Sequence, residues 1–341
     1  MESVVLTGKD RKIWDGYVMD SPASIAWQTY GWSDVVGSHY GLDFFPLAVV
    51  EGRHIRGILP LYLFKSITGK NALISVPYAV AGGMLADGPD AQSLLLEKAV
   101  DLSRRYGSCR IVLKQYKIRM QCDLRTDDNY YNRELPLTGG IDNIWDRISE
   151  RNRERVSDSM KISAVLDYPS SGSSAFHKLL THHLHNIGVP CVGEKWIEDL
   201  LASQMYSIAL LRKGGAILAA TMVKEFKDTV SFPFTCLAGN NDDVSLPAYA
   251  LYWKLIGYFA ARGKAIFHSG RIPVSGEAEP HRLGWGGAKY QYFYQYYPNS
   301  ETKTEYLVKR GSKRNLIGQC WKRLPSPITG YLGPHVVKYF P

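Results

Sequence analysis

The stretch VVEGRHIRGILPL (49–61) returns in altered form as LRKGGAILAATMV (211–223). The two segments superpose at an offset of 162 residues, with Ile55 over Ile217. Each predicts a strand, a turn containing glycine and a second, apolar strand, and each is followed by a third strand and a helix. A strand–turn–strand unit used twice indicates a duplicated α/β fold, although two hairpins can also resemble each other by chance.

The rest of the chain can be assigned outward from these two hairpins. Around the first copy, strands are predicted at 45–50, 54–64, 71–84 and 109–116, with a helix at 90–106 that Gly107 ends. Around the second copy, helices are predicted at 174–188, 194–204 and 246–263, and strands at 206–213, 216–226, 228–239, 264–270 and 289–298. A charged helical stretch at 141–160 lies between them. We therefore expect two domains, 1–150 and 151–300, followed by a basic segment, 301–341.

Composition agrees with two globular domains. The 341 residues contain 45% hydrophobic residues, which is enough for packed cores and excludes a generally disordered chain. The five cysteines form no CxxC pair, which argues against a disulfide framework and structural zinc. The first residues lack the apolar run of a signal peptide, and no apolar stretch approaches the ~20 residues of a membrane-spanning helix. A soluble, cytoplasmic protein is expected.

The net charge of +9 is concentrated near the C-terminus. The segment 301–341 holds eight basic and two acidic residues, six of the nine net charges, interleaved with apolar side chains. Such a segment can contact an anionic membrane surface or a polyanion. A solvated basic edge explains it equally well, and its apolar residues favour packing on the body of the protein. Membrane contact through this segment would place the protein at the inner face of the membrane.

Common catalytic motifs are absent. The chain has no GxSxG elbow, no GxxxxGK[ST] loop, no GxGxxG after a strand and no HExxH. A histidine cluster on the predicted helix at 174–188 has no carboxylate placed with it, so no metal site is predicted.

A loop near the end of the second half carries the remaining chemistry. In FHSGRIPVSGEAEPHRLGWGGAKYQYF (267–293) a strand end delivers His268 and Arg271 into a loop rich in glycine. The loop continues with His281, Arg282, Gly284, Trp285, Gly286 and Gly287. Glycines let a backbone approach a ligand closely, and a guanidinium suits a phosphate or carboxylate. The alternative is a tight structural turn with a surface arginine.

At this loop the sequence resembles the FemAB family of peptidoglycan-bridge aminoacyltransferases, and more closely its relatives linked to exopolysaccharide and PEP-CTERM systems. The blocks that carry the resemblance are SVPYAVAGGMLADG (75–88), RNRERVS (151–157), FHKLLTHHLHNIGVP (176–190), HRLGWGG (281–287) and WKRLPSPITGYLGP (321–334). They follow one another in the family's order over most of the chain.

The resemblance implies an α/β (α+β) fold of two tandem GNAT-like (acyl-CoA N-acyltransferase-like) domains, each a mixed central sheet flanked by helices. It also implies that the extreme C-terminus returns to the first domain. The implied activity is transfer of an acyl or aminoacyl group to an amine of a cell-envelope or polysaccharide precursor. Donors would be aminoacyl-tRNA or acyl-CoA, although no acyl-CoA loop is visible in the sequence. The acceptor would be an anionic small molecule or a lipid-linked precursor.

The resemblance and the loop together predict the site, in the second domain and facing the inter-domain groove. Arg282 stands where the family has a lysine and His268 where it has an aspartate, so donor and acceptor stay open. The predicted catalytic residues are Arg282, His268 and His281, with an arginine holding the oxyanion and a histidine taking the amine proton. The predicted substrate-binding residues are Arg271, Gly284, Trp285, Gly286, Gly287, Tyr252, Lys114, Arg155, Trp32, Tyr78, Gly82 and Gly83.

Two other functions compete with this prediction. Because several family signature residues are replaced, the chain could be a non-catalytic GNAT-like binding protein in envelope or exopolysaccharide biosynthesis. The basic C-terminal segment could instead bind nucleic acid, which would make binding steeply dependent on salt.

Overall fold

The computed structural model describes residues 1–107, 109–239, 245–275, 282–299 and 312–341. The chain forms two compact units, the first made of 1–130, 291–307 and 338–341, and the second of 131–290 and 308–337. This division by contacts falls earlier than the boundary expected at residue 150. It also returns two late segments, the extreme C-terminus among them, to the first unit.

The described residues of the first unit form a mixed sheet with three α-helices. Its strands are β1 (Glu2–Val5), β2 (Asp43–Glu51), β3 (His54–Lys65), β4 (Asn71–Ser75), β5 (Leu85–Ala86) and β6 (Arg110–Tyr116), and its helices are α1 (Arg11–Asp20), α2 (Tyr30–Tyr40) and α3 (Pro89–Arg105). The strand order is β1-β2-β3-β4-β6, with β5 on β3. Strands β4 and β6 are parallel because the chain crosses over through α3 between them. The apolar face of α3 packs in the core through Leu95, Ala99 and Leu102.

The second unit repeats this plan. Its strands are β7 (Arg125–Pro136, which begins in the first unit), β8 (Val165–Asp167), β9 (Tyr206–Lys213), β10 (Ala216–Phe226), β11 (Thr229–Ser231), β12 (Cys236–Leu237), β13 (Ile266–His268) and β14 (Ile272–Pro273). The order is β7-β13-β11-β10-β9-β8, with β12 on β10. The helices are α4 (Gly140–Arg147), α5 (Glu150–Met160), α6 (Ser173–Asn186), α7 (Glu194–Ala202), α8 (Ser245–Ala260), α9 (Ser312–Arg323) and α10 (Ser326–Val337).

The two hairpins predicted to be copies match residue by residue. The turn joins Glu51 to His54 in the first unit and Lys213 to Ala216 in the second. Both hairpins also carry a β-bulge at the same place, one residue before Gly57 and one residue before Ala219. After the bulge, Gly57 pairs with β5 and Ala219 with β12. A bulge conserved between copies indicates duplication rather than chance.

Each unit is completed by a strand from the other half of the sequence. Strand β15 (Ala288–Tyr297) pairs antiparallel with β6 through residues 292–297. Its alternating Tyr292, Tyr294 and Tyr296 are buried in the first unit. In the second unit, residues 134–136 of β7 pair antiparallel with β13. The sequence patterns predicted β15 but not β7.

Three predicted stretches are divided or shortened in the structure, and the first of them, the strand predicted at 71–84, ends at Ser75 as β4. The stretch 141–160, predicted as one helical segment, is two helices, because the chain is extended at Ile148 and Ser149. The strand predicted at 228–239 is shortened to two small strands, β11 and β12.

In the described part of the C-terminal segment, α9 and α10 belong to the second unit. Gly188 lies against the backbone of Gly318, and Gly333 against that of Cys191. The Thr329 hydroxyl lies 3.1 Å from His185 Nδ1. None of the helices in the described ranges is long and apolar enough to cross a membrane.

Candidate functional site

The glycine-rich loop at 282–287 is packed backbone to backbone in the second unit. A side chain at Gly286 would overlap the Arg147 carbonyl, and one at Gly287 would overlap the Glu134 carbonyl. At Gly284 it would lie 2.6 Å from both Ser149 Oγ and Asn152 Oδ1. All three glycines have positive φ, the region that other residues avoid. Their contacts here are with the protein itself, and the substrate contacts predicted for them stay predictions.

The start of helix α5 holds this loop in place. The Ser149 backbone N–H donates to the Gly284 carbonyl at 2.8 Å. Asn152, almost fully buried, donates from Nδ2 to the Leu283 carbonyl at 2.8 Å. Ser149 is also the N-cap of α5, with Oγ accepting from the Asn152 N–H at 3.3 Å. The RNRERVS block therefore positions the glycine-rich loop.

Trp285 and Tyr252 lie in the core beside the loop. The Trp285 indole is 1% exposed and packs against Tyr249, Tyr252 and Phe267 with ring centroids 5.7 to 6.5 Å apart. The Tyr252 hydroxyl lies 2.8 Å from Thr235 Oγ1. Because both side chains are enclosed, they support the loop from within, and their predicted contact with substrate stays a prediction.

Arg155 lies on α5, and its positive charge, like that of Arg151, acts on Tyr249 of α8. Burial raises the pKa of the Tyr249 phenol, and the positive charges of Arg151 and Arg155 partly offset that effect. Arg155 is half-buried. The predicted residue His281 lies outside the described residues.

Three of the predicted residues meet at the end of β13. The half-buried Arg282 donates from Nη2 to the Arg271 carbonyl at 3.2 Å and lies against Gly270. Two residues earlier, His268 Nδ1 accepts the Gly270 N–H at 3.1 Å. Since a backbone N–H can only donate, the neutral imidazole carries its proton on Nε2. In this arrangement Nδ1 is not free to take the amine proton, and the predicted catalytic role of His268 stays a prediction.

Strand register places His268 in a row of polar side chains across one face of the sheet. Residues paired across strands share a face, with Cβ atoms ~5 Å apart. His268 pairs with Ser231 on one side and Glu134 on the other. Ser231 pairs in turn with Lys224 of β10. We call Lys224, Ser231, His268 and Glu134 the polar row.

The first unit provides an internal control for the polar row. The positions that pair in the same way there are Tyr62, Ile74, Val112 and Tyr296. Three of these four belong to a hydrophobic cluster, and all four are buried. The fold therefore does not require polar side chains at this place. Four polar residues replace a packed aromatic and aliphatic row only in the second unit.

Lys224 is the least expected member of the polar row. Its side chain is buried in mid-sheet, with the whole residue 8% exposed. Desolvation of the ammonium lowers the pKa of Lys224 from 10.5 to about 7. Near neutral pH a large fraction of this amine is uncharged and can accept a proton. A buried amine with such a pKa, in the same row as a histidine and a carboxylate, is a candidate for acid–base chemistry.

The residues predicted in the first half also converge, on the loop after β4. Lys114, nearly fully buried, donates from Nζ to the Ala79 carbonyl at 3.0 Å. Its own carbonyl accepts the N–H groups of Gly82 and Gly83, each at 2.9 Å. Lys114 therefore braces the loop that carries both glycines.

Trp32 and Tyr78 hold the same loop from outside. Trp32 Nε1 donates to the Pro77 carbonyl at 3.2 Å. Tyr78 stacks on Tyr40 at 3.9 Å and donates from its hydroxyl to the Lys338 carbonyl at 2.8 Å. Five residues predicted separately thus belong to one local structure, and their substrate contacts stay predictions.

The sequence patterns missed Lys224, Ser231 and Glu134. Lys224 follows the apolar run AATMV (219–223), and a charged residue continuing a buried strand was the one available signal. Ser231 and Glu134 carry no such signal, because only strand register brings them next to His268.

Similarity to known proteins was found in the three-dimensional fold and not in the sequence. No family model matches the chain, and no curated protein matches it by sequence. The crystal structure of FemX superposes with a TM-score of 0.67 at 12% identity, over 86% of this chain and 97% of FemX. A tandem GNAT protein from the clavulanic acid biosynthesis pathway gives a TM-score of 0.53 at 13% identity, over 86% and 97% of the two chains.

A third similar structure is the C-terminal domain of a protein described as a lysylphosphatidylglycerol synthetase, from Agrobacterium fabrum. It gives a TM-score of 0.55 at 12% identity, over 90% of this chain and 94% of that one. At these identities the likeness shows the fold alone. The predicted fold class, two tandem GNAT-like domains of the kind found in FemX, is confirmed.

Proposed function

We propose that this protein transfers an acyl or aminoacyl group from an activated ester or thioester to an amine, with the chemistry at the polar row of the second unit. The observation that carries the proposal is the replacement of an apolar row by Lys224, Ser231, His268 and Glu134 between two units of the same fold. The FemX and tandem GNAT folds support it by analogy.

In the proposed reaction the acceptor nitrogen attacks the carbonyl carbon of the donor. A C–N bond forms and the donor's C–O or C–S bond breaks. The amine loses one proton, which neutral Lys224 accepts through the Ser231 hydroxyl beside it. Lys224 returns this proton to the departing alcohol or thiol, so the enzyme is regenerated unchanged.

The negative charge on the tetrahedral intermediate needs donors close to its oxygen. We place the Nε2–H of His268, whose Nδ1 accepts the Gly270 N–H, among these donors. The Arg282 guanidinium, held at the same strand end by the Arg271 carbonyl, offers a permanent positive charge. Hydrogen bonds and charge directed at a developing oxyanion are the largest contribution in many acyl transfers.

For substrates, we propose aminoacyl-tRNA or acyl-CoA as donor, and an anionic or lipid-linked cell-envelope or polysaccharide precursor as acceptor. The net charge of +9 favours partners that carry phosphate. Contact of 301–341 with the membrane, at the inner face, would bring the enzyme to a lipid-linked acceptor. A non-catalytic binding protein with the same fold is the alternative.

A transfer assay on the purified full-length chain tests the proposal. Acyl-CoAs and aminoacyl-tRNAs would be offered with amine-bearing nucleotide-sugar and lipid-linked acceptors, and products followed by mass spectrometry. Lys224→Met should reduce kcat at least 100-fold, the usual size of a general-base contribution. Lys213→Met, at an exposed lysine of the same hairpin, is the matched control and should retain full activity.

The pH profile separates a base from a structural lysine. Because burial lowers the pKa of Lys224 to about 7, kcat should rise with pH and level off above that value. Arg282→Ala with full activity would refute the role of Arg282. Lack of transfer from every donor, together with tight binding of one of them, would favour the non-catalytic alternative.

A further inference from the structure

The first unit contains an open cavity of about 100 Å³. It is bounded by Gly82 and Gly83 of the braced loop, by Gln92 at the start of α3, and by Gln115 near the end of β6. This is room for several waters or for a small ligand group. The open side of the cavity lets the rest of a larger ligand extend outward.

The cavity walls are uncharged. Of the described residues that line it, none is Asp, Glu, Lys, Arg or His. Burying a phosphate, carboxylate or ammonium there would remove its hydration without an opposite charge in return. Apolar side chains, Met84, Leu85 and Met120 among them, form much of the remaining surface. A neutral ligand group with some apolar surface is therefore favoured.

Gln115 is one of the polar side chains that line the cavity. The residue is 5% exposed, and no hydrogen bond of its carboxamide is found within the described ranges of the chain. The carboxamide is not among the side-chain groups of the described residues that are enclosed without a partner, so water reaches it through the open side of the cavity, and a ligand amide can take the place of that water. Gln92, on the α3 side, likewise makes no side-chain hydrogen bond among the residues described.

The backbone N–H groups of Gly82 and Gly83 and the Gly83 carbonyl, in the loop beside Gln115, already have hydrogen-bond partners, and the loop leaves room for the Gln115 carboxamide. The N–H groups of Gly82 and Gly83 donate to the Lys114 carbonyl, and the Gly83 carbonyl accepts Gln28 Nε2 at 3.0 Å. Gln28 Oε1 in turn accepts the Ile25 N–H at 2.9 Å. A Cβ on Gly83 would lie 2.5 Å from Gln115 Oε1, so glycine is required for the carboxamide to occupy this place.

We propose that this cavity binds a small uncharged amide group of the acceptor, hydrogen-bonded to the Gln115 carboxamide. A carboxamide supplies both a donor and an acceptor, which matches the N–H and C=O of another amide. This assignment rests on the proposed function, because it gives the acceptor an uncharged handle in addition to its reactive amine. Two sources share the chemistry: the acetamido group of an amino sugar and the amide of a peptide.

Ligand-observed NMR on the full-length protein tests the assignment without any transfer reaction. The probes are methyl glycosides of N-acetylglucosamine, glucosamine and glucose, and an N-acetylated alanine methylamide. The amide-bearing probes should bind and compete for one site, while glucose and the cationic glucosamine should bind at least tenfold more weakly. The relative affinities of the acetamido sugar and the peptide amide identify the source.

Variants of Gln115 test whether its carboxamide binds the amide probes. Gln115→Leu should weaken the amide probes about tenfold, the loss of two neutral hydrogen bonds. Gln115→Glu keeps the shape but adds a carboxylate, and should reverse the preference toward glucosamine. Gln319→Leu, at an exposed glutamine of α9, is the matched control and should bind as the wild type does.

Equal binding of glucosamine and N-acetylglucosamine by the wild type would overturn the proposal. So would unchanged amide binding in Gln115→Leu. These outcomes are separate from failure of the proposed function, because binding is measured with no donor present. A protein that transfers acyl groups to simple amines but does not bind the amide probes would contradict the cavity assignment alone.

Discussion

Lys224 occupies the position at which the first unit has Tyr62, and the exchange changes what that sheet face can do. A tyrosine there completes a packed row, whereas a lysine brings a titratable amine into the same buried environment. The cost is the desolvation of its charged form, which lowers the pKa of Lys224. At the scale of single residues, the second unit therefore holds a titratable amine at a position where the first unit holds a phenol.

This cost predicts a pH-dependent stability. Since the folded pKa of Lys224, about 7, is below its unfolded value of 10.5, the unfolded chain binds more protons between these pH values. The free energy of unfolding should therefore rise with pH across that window. Relative to Lys224→Met, the wild type should gain about 2 kcal/mol from pH 7 to pH 9. Denaturant unfolding at both pH values measures this gain, and a constant difference between the two proteins would contradict it.

Gly287 is the residue of the loop that tolerates substitution least. Gly287→Ala should destabilise the protein by about 3 kcal/mol, because its φ of +81° is unfavourable for alanine and the new Cβ overlaps the Glu134 carbonyl. Gly37→Ala, in α2 with open space around it, should be neutral or stabilising by up to about 1 kcal/mol. Thermal unfolding of both variants compares them, and equal effects would refute the packing role of Gly287.

At the scale of elements, the break between α4 and α5 positions the glycine-rich loop. The turn at Ser149 starts a new helix, and that start binds the Gly284 carbonyl and caps α5. One continuous helix over 141–160 would lose both interactions. The interruption therefore links a charged surface helix to the loop beside the polar row.

The N-cap can be tested alone. Ser149→Ala removes the side-chain acceptor for the Asn152 N–H and should cost about 1 kcal/mol of stability. It leaves the backbone bond to Gly284 unchanged. Ser157→Ala, exposed on the same helix, should change stability by less than about 0.5 kcal/mol. Urea unfolding of the two variants distinguishes a cap from a general serine effect.

At the scale of the whole molecule, the feature that matters is how the chain completes each unit. The first unit's sheet includes β15, which lies more than half the chain away from β6 in sequence. Three buried tyrosines of the first unit come with that strand. A domain cut at the boundary that sequence suggests would lack all of them.

We therefore expect residues 1–150 alone not to fold cooperatively. Without β15 the β6 edge and the aromatic cluster around Ile74 would be exposed to water. Joining residues 288–299 to residues 1–130 through a Gly/Ser linker should restore a cooperative thermal transition measured by circular dichroism. A cooperative transition in the unextended fragment would contradict this account.

Local sequence patterns predict much of the fold. Alternating apolar residues at 54–64 and 216–226, glycine at both turns and the apolar stripe of α3 predict elements close to those observed. Such patterns work because hairpins and amphipathic helices depend on neighbours a few residues apart. Strand β7, RTDDNYYNRELP (125–136), was missed because its polar residues show no alternation, and its pairing with strands far away in sequence, β13 among them, makes it a strand.

Local sequence patterns likewise predict one part of the candidate site, and strand pairing decides the other part. Sequence alone determined that arginines, histidines and glycines gather at 267–287, because they are close along the chain. Only the tertiary structure decided that Lys224, Ser231 and Glu134 join His268, since strand register brings together residues far apart in sequence. It also decided which nitrogen of His268 accepts the Gly270 N–H, and that the uncharged Gln115 faces a cavity in the first unit. Those properties depend on burial and partners, which no local pattern encodes.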